Sequence, residues 1–132
     1  MTERGLLDTS VFIASESGRP LDMARLPEES AISVVTLAEL QAGVLAAGDT
    51  ATRAIRMATL DSLGDIKMLP IDASAALAWA QLRVLLAEAG RRINVNDLWI
   101  AATAASRGLP VVTQDDDFAA VEGLAGLVVV RV

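Results

Sequence analysis

Short apolar runs alternate along the chain with longer amphipathic segments. The runs are too short for buried helices and predict five strands, over residues 5–7, 31–35, 66–69, 109–113 and 127–130. The segments between them predict helices over residues 10–15, 36–47, 50–63, 73–89 and 97–107. Because strands that alternate with helices form βαβ units, we expect an α/β fold, a three-layer α/β/α domain with a mainly parallel central sheet.

Local signals set the expected helix boundaries. Gly90 is expected to close the helix over residues 73–89, and Asn96 to cap the last helix. The helices over residues 36–47 and 50–63 are both rich in alanine and leucine. This pair is a candidate surface for a dimer contact or a protein partner.

Composition narrows the chemistry. With 132 residues, 53% of them hydrophobic, the chain has the size of one ordinary domain, and we expect residues 1–132 to form it. It has no cysteine and no histidine, which excludes disulfides, thiolate sites, imidazole acid–base pairs and histidine-ligated zinc. Carboxylates remain as the plentiful catalytic groups, and the metals that suit them are Mg²⁺ and Mn²⁺.

The charge and the scarcity of aromatic residues restrict the partners. A net charge of -6 argues against nucleic-acid binding through a broad basic surface, although bound cations would make an acidic site compatible with such a substrate. Two Phe, two Trp and no Tyr argue against base stacking on a row of aromatics. Because no apolar run approaches the roughly 18 residues of a membrane span, we expect a soluble cytoplasmic protein without membrane association.

Acidic residues stand at the junctions between strands and helices. Asp8 follows the first strand, and residues 115–117 follow the fourth. Glu39 and Asp97 lie near the starts of two helices. The carboxyl ends of parallel strands share one edge of the sheet, so these acids are expected to meet there. Two carboxylates about 4 Å apart repel by about 4 kcal/mol at an effective dielectric of roughly 20, so such a cluster either takes up protons or holds divalent cations.

Each acid also has a purely structural explanation. Asp8 can form an Asx turn, and Glu39 can complete a capping box with Thr36. Asp97 in a first helical turn is favoured by the helix dipole by about 0.3–1 kcal/mol. The acidic triplet can be a solvated turn, which is the preferred interpretation for Asp116. The convergence of several acids at one edge is what favours a functional site.

Four segments resemble, in order and spacing, the motifs of PIN-domain ribonucleases. They are Leu7-Asp8-Thr9-Ser10, Thr36-Leu37-Ala38-Glu39-Leu40, residues 96–104 (NDLWIAATA) and residues 112–118 (VTQDDDF). The length and the Thr-Leu-Ala-Glu-Leu segment are most similar to the VapC toxins of bacterial toxin–antitoxin pairs. The resemblance covers nearly the whole chain.

This resemblance implies an endoribonuclease that depends on Mg²⁺, with Mn²⁺ able to substitute, and is inhibited by a cognate VapB-type antitoxin. RNA would be the substrate, and a homodimer is expected. The residues that match the family's acidic quartet are Asp8, Glu39, Asp97 and Asp115. A further acid, Asp117, matches an assisting metal ligand, and either it or Asp115 can be the direct ligand of the last motif. The hydroxyl positions of the pocket correspond to Thr9, Ser10 and Thr113.

Two other functions fit parts of the pattern. An aspartyl-phosphate phosphotransferase would also place an aspartate after the first strand, but such a site needs a second acid two residues on, where this chain has Ser10. A non-catalytic protein-binding α/β module would use the acids only as helix caps. For attraction of phosphate, the candidates are Arg19, Arg91 and Arg92, each of which also suits a solvated surface.

Overall fold

A five-stranded parallel sheet lies at the centre of the computed structural model, which describes residues 3–132. Within these residues the strand order is β3-β2-β1-β4-β5, and every neighbouring pair is parallel. The strands are β1 (Arg4–Leu7), β2 (Glu29–Ser33), β3 (Lys67–Leu69), β4 (Val111–Thr113) and β5 (Val129–Arg131). The predicted parallel sheet is confirmed.

Five α-helices accompany the sheet in the described part of the chain. They are α1 (Thr9–Glu16), α2 (Val34–Leu45), α3 (Thr50–Asp61), α4 (Ala73–Ala89) and α5 (Val95–Ser106). Short 3₁₀ turns occur at Met23–Arg25, Asp117–Ala120 and Leu124–Gly126. Each α-helix begins after a residue whose side chain accepts a hydrogen bond from a first-turn backbone N–H; these caps are Asp8, Ser33, Asp49, Asp72 and Asn94.

Alternating strand residues build the three layers. In β1, Leu6 belongs to the core that includes α4 and α5, whereas Leu7 belongs to the core that includes residues of α1 and α2. The same alternation occurs at Val111 and Val112 of β4. Because successive side chains of a strand point to opposite faces, β1 and β4 each contribute to both cores. The three-layer α/β/α prediction is confirmed.

The second strand and the helix after it begin earlier than predicted. We expected a strand over residues 31–35 and a helix from Thr36, but β2 ends at Ser33 and α2 starts at Val34. The Ser33 hydroxyl accepts a hydrogen bond from the Val35 backbone N–H at 3.0 Å, which fixes the helix start. The β-branched pair at residues 34 and 35 favoured a strand locally, and the cap outweighs that preference.

The predicted cap of the last helix was also wrong. Asn94, not Asn96, is the N-cap of α5, since its Oδ1 accepts a hydrogen bond from the Asp97 backbone N–H at 2.8 Å. By contrast, α4 has its predicted bounds, with Gly90 in the left-handed conformation (φ 67°) at its end. The final strand lies at residues 129–131 rather than 127–130.

The chain leaves β1 and β4 toward opposite faces of the sheet. After β1 it enters α1, whose Val11 is buried in the core on one face. After β4 it enters the 3₁₀ turn whose Phe118 is buried in the core on the other face. A crevice at the carboxyl ends of neighbouring strands is the usual ligand position in open α/β sheets. None of the helices in the described residues combines the length and apolarity needed to cross a bilayer.

Candidate active site

A cleft of about 270 Å³ opens at the carboxyl ends of β1 and β4. We call it the acid cleft; it is lined by Asp8, Thr9, Ser10, Ile13, Arg19, Glu39, Asn94, Asp97, Asp115 and Asp117. Five carboxylates from four separate stretches of sequence therefore share one concavity. Asp116 is absent from this lining and exposed, as its interpretation as a solvated residue predicts, and it forms an ion pair with Arg131.

Asp8 is held in place by backbone and side-chain bonds. Its backbone N–H donates to the Val112 carbonyl at 2.8 Å, and only 3% of the residue is exposed. The carboxylate oxygen Oδ2 accepts from the Ser10 backbone N–H at 3.3 Å and from the Thr113 hydroxyl at 3.0 Å. The Asx-turn interpretation is therefore correct for Oδ2. In residues 3–132, Oδ1 accepts no hydrogen bond, which leaves it available to a ligand.

A small hydroxyl network joins β4 to the start of α1. Because the Thr113 hydrogen is used on Asp8, the Ser10 hydroxyl, 3.1 Å away, must donate to Thr113 Oγ1. Ser10 Oγ accepts from the Gln114 backbone N–H, and Thr113 Oγ1 accepts from the Asp115 backbone N–H, both at 3.0 Å. This network fixes the backbone that carries Asp115 next to the carboxylate of Asp8.

Glu39 is oriented from both of its oxygens. Oε1 accepts a hydrogen bond from the Thr9 hydroxyl at 2.7 Å, and Oε2 accepts one from the Asn96 amide at 3.4 Å. Thr36 is the third residue of α2 and fully buried, and its hydroxyl lies 2.9 Å from that of Thr9. The capping-box interpretation of Glu39 is therefore wrong, because Ser33 caps α2 and Glu39 faces the cleft residues.

Asp97 lies in the first turn of α5, where the Asn94 amide donates to its Oδ2 at 2.7 Å. Burial raises its pKa to about 7, helped by the negative charges of Asp8, Asp117 and Glu39, in that order. Burial also raises the pKa of Asp8, to which the charge of Asp115 adds. These two pKa shifts are the expected consequence of like charges that share a partly dry site.

The donor set of the acid cleft fits a hard divalent cation. Carboxylate and hydroxyl oxygens surround it, and the mutual repulsion of the acids is what a cation would relieve. In residues 3–132, however, no three acidic side chains are arranged to enclose a metal ion by themselves. Mg²⁺ commonly keeps several waters and uses only one or two carboxylates, so a closed cage is not required.

Sequence reasoning identified the hydroxyl residues of the pocket but missed the two side-chain amides that orient the acids. Asn94 and Asn96 hold Asp97 and Glu39, and the Asn-x-x-Asp spacing from 94 to 97 is a capping signal that could have identified the first. Of the three candidate arginines, only Arg19 lines the acid cleft; Arg91 instead donates to the Ala120 carbonyl at 3.4 Å.

Comparison with known proteins gives the same classification as the fold and the cleft. A family model of the PIN domain matches residues 5–124, so the chain belongs to the PIN-domain family. It is 62% identical over 128 residues to Ribonuclease VapC5 of Mycobacterium tuberculosis, covering 97% of this chain and 95% of that protein. It is 44% identical over 118 residues to Ribonuclease VapC4 of the same organism, covering 89% and 90%.

A solved structure agrees with these sequence matches. The chain superimposes with a TM-score of 0.93, at 58% identity, on a chain of the crystal structure of VapBC-5, a member of the VapBC family of toxin–antitoxin systems from Mycobacterium tuberculosis. The alignment covers 98% of this chain and 99% of the other. The resemblance to VapC-type PIN-domain ribonucleases, stated from four motifs, is confirmed.

Proposed function

We propose that this chain is a VapC-type endoribonuclease, the toxin of a toxin–antitoxin pair, and that it hydrolyses RNA phosphodiester bonds in the acid cleft. The observation that carries the proposal is the convergence of five carboxylates on one cleft in a chain of this family. Its relatives of 62% and 44% identity are ribonucleases by name. An aspartyl-phosphate mechanism has no comparable support, because the position two residues after Asp8 is a serine whose hydroxyl is already bonded to Thr113.

Divalent metal use is general in PIN-domain ribonucleases, and we propose Mg²⁺ as the metal here, with Mn²⁺ able to substitute. We propose that Asp8 and Asp97 hold one cation and that Asp115, assisted by Asp117, holds a second, so that no ion needs three of these carboxylates. We prefer Asp115 over Asp117 as the direct ligand because its backbone N–H is fixed by Thr113 and it is partly buried, whereas Asp117 is exposed. When bound, the cation supplies Lewis-acid activation of water and neutralises charge on the phosphate.

The protein's own groups perform the remaining tasks. Thr113 and the Ser10 amide hold Oδ2 of Asp8, so this carboxylate keeps one orientation. Thr9 and Asn96 hold Glu39, which we propose helps to position the metal ion or accepts the proton of the attacking water. Preorganised groups of this kind lower the barrier because they need no rearrangement during the reaction.

A VapB-type antitoxin is the expected protein partner, since the solved relative is a toxin–antitoxin complex. The helix pair α2 and α3 exposes large apolar side chains, including Leu45 (82% exposed) and Ile55 (54%). Exposed apolar surface of this kind is typical of an interface. We propose that this surface binds the antitoxin or a second copy of the chain in a homodimer. The helix pair would then be a protein interface, as in the protein-binding hypothesis, in a chain that is also an enzyme.

The proposal is tested by incubating the purified chain with labelled structured RNA in Mg²⁺, in Mn²⁺ and in excess EDTA. Asp8→Asn is the test variant, and Asp116→Asn is the matched control because it neutralises an acid outside the cleft. We expect cleavage with either metal, none in EDTA, a loss of at least about a hundredfold in Asp8→Asn, and near wild-type cleavage in Asp116→Asn. Cleavage that persists in EDTA, or that Asp8→Asn leaves undiminished, would contradict the proposal.

A further inference from the structure

One basic side chain lies among the carboxylates of the acid cleft. In the part of the chain that the structure describes, Arg19 is the only cationic residue in the lining. An RNA substrate brings further negative charge to this cleft, and metal ions at the carboxylates neutralise only the charge near them. A cationic side chain in the lining therefore favours binding of the phosphate backbone of the substrate.

The backbone of Arg19 is firmly anchored. The Gly18 N–H donates to the Ser15 carbonyl at 3.3 Å, and the Arg19 N–H donates to the Ala14 carbonyl at 2.8 Å. With Gly18 in the left-handed conformation (φ 76°), these two bonds form a Schellman motif at the end of α1. The residue in the position of Arg19 often makes an apolar contact with the helix, so a long exposed cation here departs from the local preference.

A side-chain hydrogen bond also joins this turn to the loop that follows β4. The Gln114 side-chain amide donates to the Pro20 carbonyl at 3.3 Å, and Gln114 directly precedes Asp115. The turn that carries Arg19 is therefore fixed to the same loop as a proposed metal ligand. Asp8 is the N-cap of α1 and this turn follows its last residue, so the two ends of one short helix place the acid and the cation in one cleft.

Among the described residues, the guanidinium of Arg19 forms no ion pair, although carboxylates line the same cleft. Other arginines of the described residues form ion pairs, such as Arg107 with Asp72 at 3.1 Å and Arg131 with Asp116. Across residues 3–132, Arg19 has no carboxylate within ion-pairing distance. Its charge is thus free for a ligand, whereas the other two charges are partly neutralised.

From these contacts we propose that Arg19 binds a phosphate of the RNA substrate next to the bond that is cleaved. The inference rests on the proposed function, since it assigns a substrate contact in the same cleft. A planar guanidinium suits a phosphate because it can donate two parallel hydrogen bonds to it. The role is one of substrate binding, so the effect is expected mainly on KM and RNA affinity.

The test compares Arg19→Gln and Arg19→Lys with Arg25→Gln, which removes an exposed arginine of a nearby turn that does not line the cleft. Steady-state cleavage gives kcat and KM. A binding assay with a short fluorescent single-stranded RNA in Ca²⁺, with the RNA checked for integrity on a gel, gives affinity without relying on turnover. Both are repeated over a range of salt concentrations.

For Arg19→Gln we expect KM and the dissociation constant to rise about three- to tenfold while kcat changes less than about twofold. The dependence of log affinity on log salt should weaken by about 0.7, the value for one phosphate contact on a single strand. Arg19→Lys should keep the salt dependence and part of the affinity, and Arg25→Gln should resemble the wild type.

Unchanged affinity and KM in Arg19→Gln, or an equal loss in Arg25→Gln, would overturn the inference. These results are separable from a failure of the proposed function. If Asp8→Asn still cleaved RNA, the function would be wrong, yet the Ca²⁺ binding assay would still decide whether Arg19 contacts RNA.

Discussion

At the amino ends of the strands, acidic and basic side chains line the same cavity, whereas at the carboxyl ends five carboxylates line the acid cleft. The amino end contains a cavity of about 380 Å³ whose charged lining residues are Arg4, Glu29, Asp65, Lys67 and Arg107. There, Arg4 pairs with Glu29 at 3.4 Å and Arg107 with Asp72 at 3.1 Å. The larger cavity thus has three basic and two acidic side chains in its lining, whereas the smaller one has a single arginine and five carboxylates.

The difference supports the proposal that the functional site lies at the carboxyl ends of the strands. Repulsion among the carboxylates destabilises the folded state. Selection for stability alone would favour acids paired with basic residues, as at the amino ends of the strands. In the cleft, neutral donors hold the acids instead: Thr9, Asn94, Asn96 and Thr113. Neutral donors orient a carboxylate while leaving its charge for a cation.

Among substitutions that leave the carboxylates intact, the largest expected effect comes from removing the hydroxyl network. Thr113→Val deletes the donor to Asp8 and the acceptor of the Asp115 N–H while keeping the side-chain shape. We expect RNA cleavage to fall about 10- to 100-fold and the free energy of unfolding to fall by about 1–3 kcal/mol. Thr103→Val is the control, since that buried hydroxyl bonds only the Trp99 carbonyl of its own helix among the described residues. Equal cleavage by the two variants would contradict the role of Thr113.

The pH dependence of stability should have opposite signs at the two ends. In the folded chain the Asp97 carboxyl keeps its proton up to a pH of about 7, compared with 3.8 as its ordinary pKa. The folded state therefore binds more protons between these values, and the free energy of unfolding falls as pH rises through that window. Without divalent ions, Asp97→Asn should raise the melting temperature above pH 7 and have little such effect near pH 4.

Asp72, at the start of α4, provides the opposite case. The backbone N–H of Ala75 and then the charge of Arg107 lower its pKa, so its charged form stabilises the fold at neutral pH and this contribution is lost as pH falls through the lowered pKa. Asp72→Asn should therefore lower the melting temperature above pH 7, measured by the same thermal unfolding. A lower melting temperature for both variants would refute the contrast between the two ends.

A smaller effect on cleavage is expected from a substitution that disturbs the packing between β1 and β4. A Cβ on Gly5 would lie 2.8 Å from Val112 Cγ2 and 3.2 Å from Pro27 Cγ, so Gly5→Ala forces neighbouring groups apart. We expect a loss of about 1–3 kcal/mol in denaturant unfolding. For Gly48→Ala, where a Cβ meets nothing within 4 Å, the change should stay within about 0.5 kcal/mol. Similar losses of stability in Gly5→Ala and Gly48→Ala would mean that the close contact at Gly5 does not limit the packing of β1 against β4.

The smallest effect should come from the exposed pair at the amino end. The side chains of Arg4 and Glu29 are 62% and 75% exposed, and solvent screens their attraction. Arg4→Gln should change the free energy of unfolding by less than about 1 kcal/mol and leave RNA cleavage unchanged. A large loss of cleavage would show that the amino end also takes part in catalysis.

Sequence patterns predicted the elements whose signals are local. The end of α4 follows from Gly90, and Asp8 follows directly from the end of an apolar run. The start of α2 was missed because residues 34 and 35 are β-branched, and only the bond from Val35 to Ser33 reveals the cap. A Thr-x-x-Glu pattern was likewise misleading, since Thr36 lies inside the helix.

The architecture of the cleft depends on contacts that no local pattern contains. The parallel sheet indicated that the acids share one edge, but the neighbouring positions of β1 and β4 came only from the strand order. The hydrogen bond from Thr113 to Asp8 joins residues 105 positions apart. The contacts of Asn96 with Glu39 and of Gln114 with Pro20 are similarly distant in sequence. Tertiary packing, rather than propensity, sets these positions.

Whether the carboxylates act together on divalent ions is tested most directly by a Mn²⁺ titration of thermal unfolding. Because Mn²⁺ binds the folded state, the melting temperature of the wild type should rise steadily with Mn²⁺ concentration. At a hundred times the dissociation constant, the free energy of unfolding should have increased by about 2.7 kcal/mol. The rise should disappear in Asp8→Asn and persist in Asp116→Asn. A wild-type melting temperature that does not respond to Mn²⁺, or an equal rise in Asp8→Asn, would contradict the account.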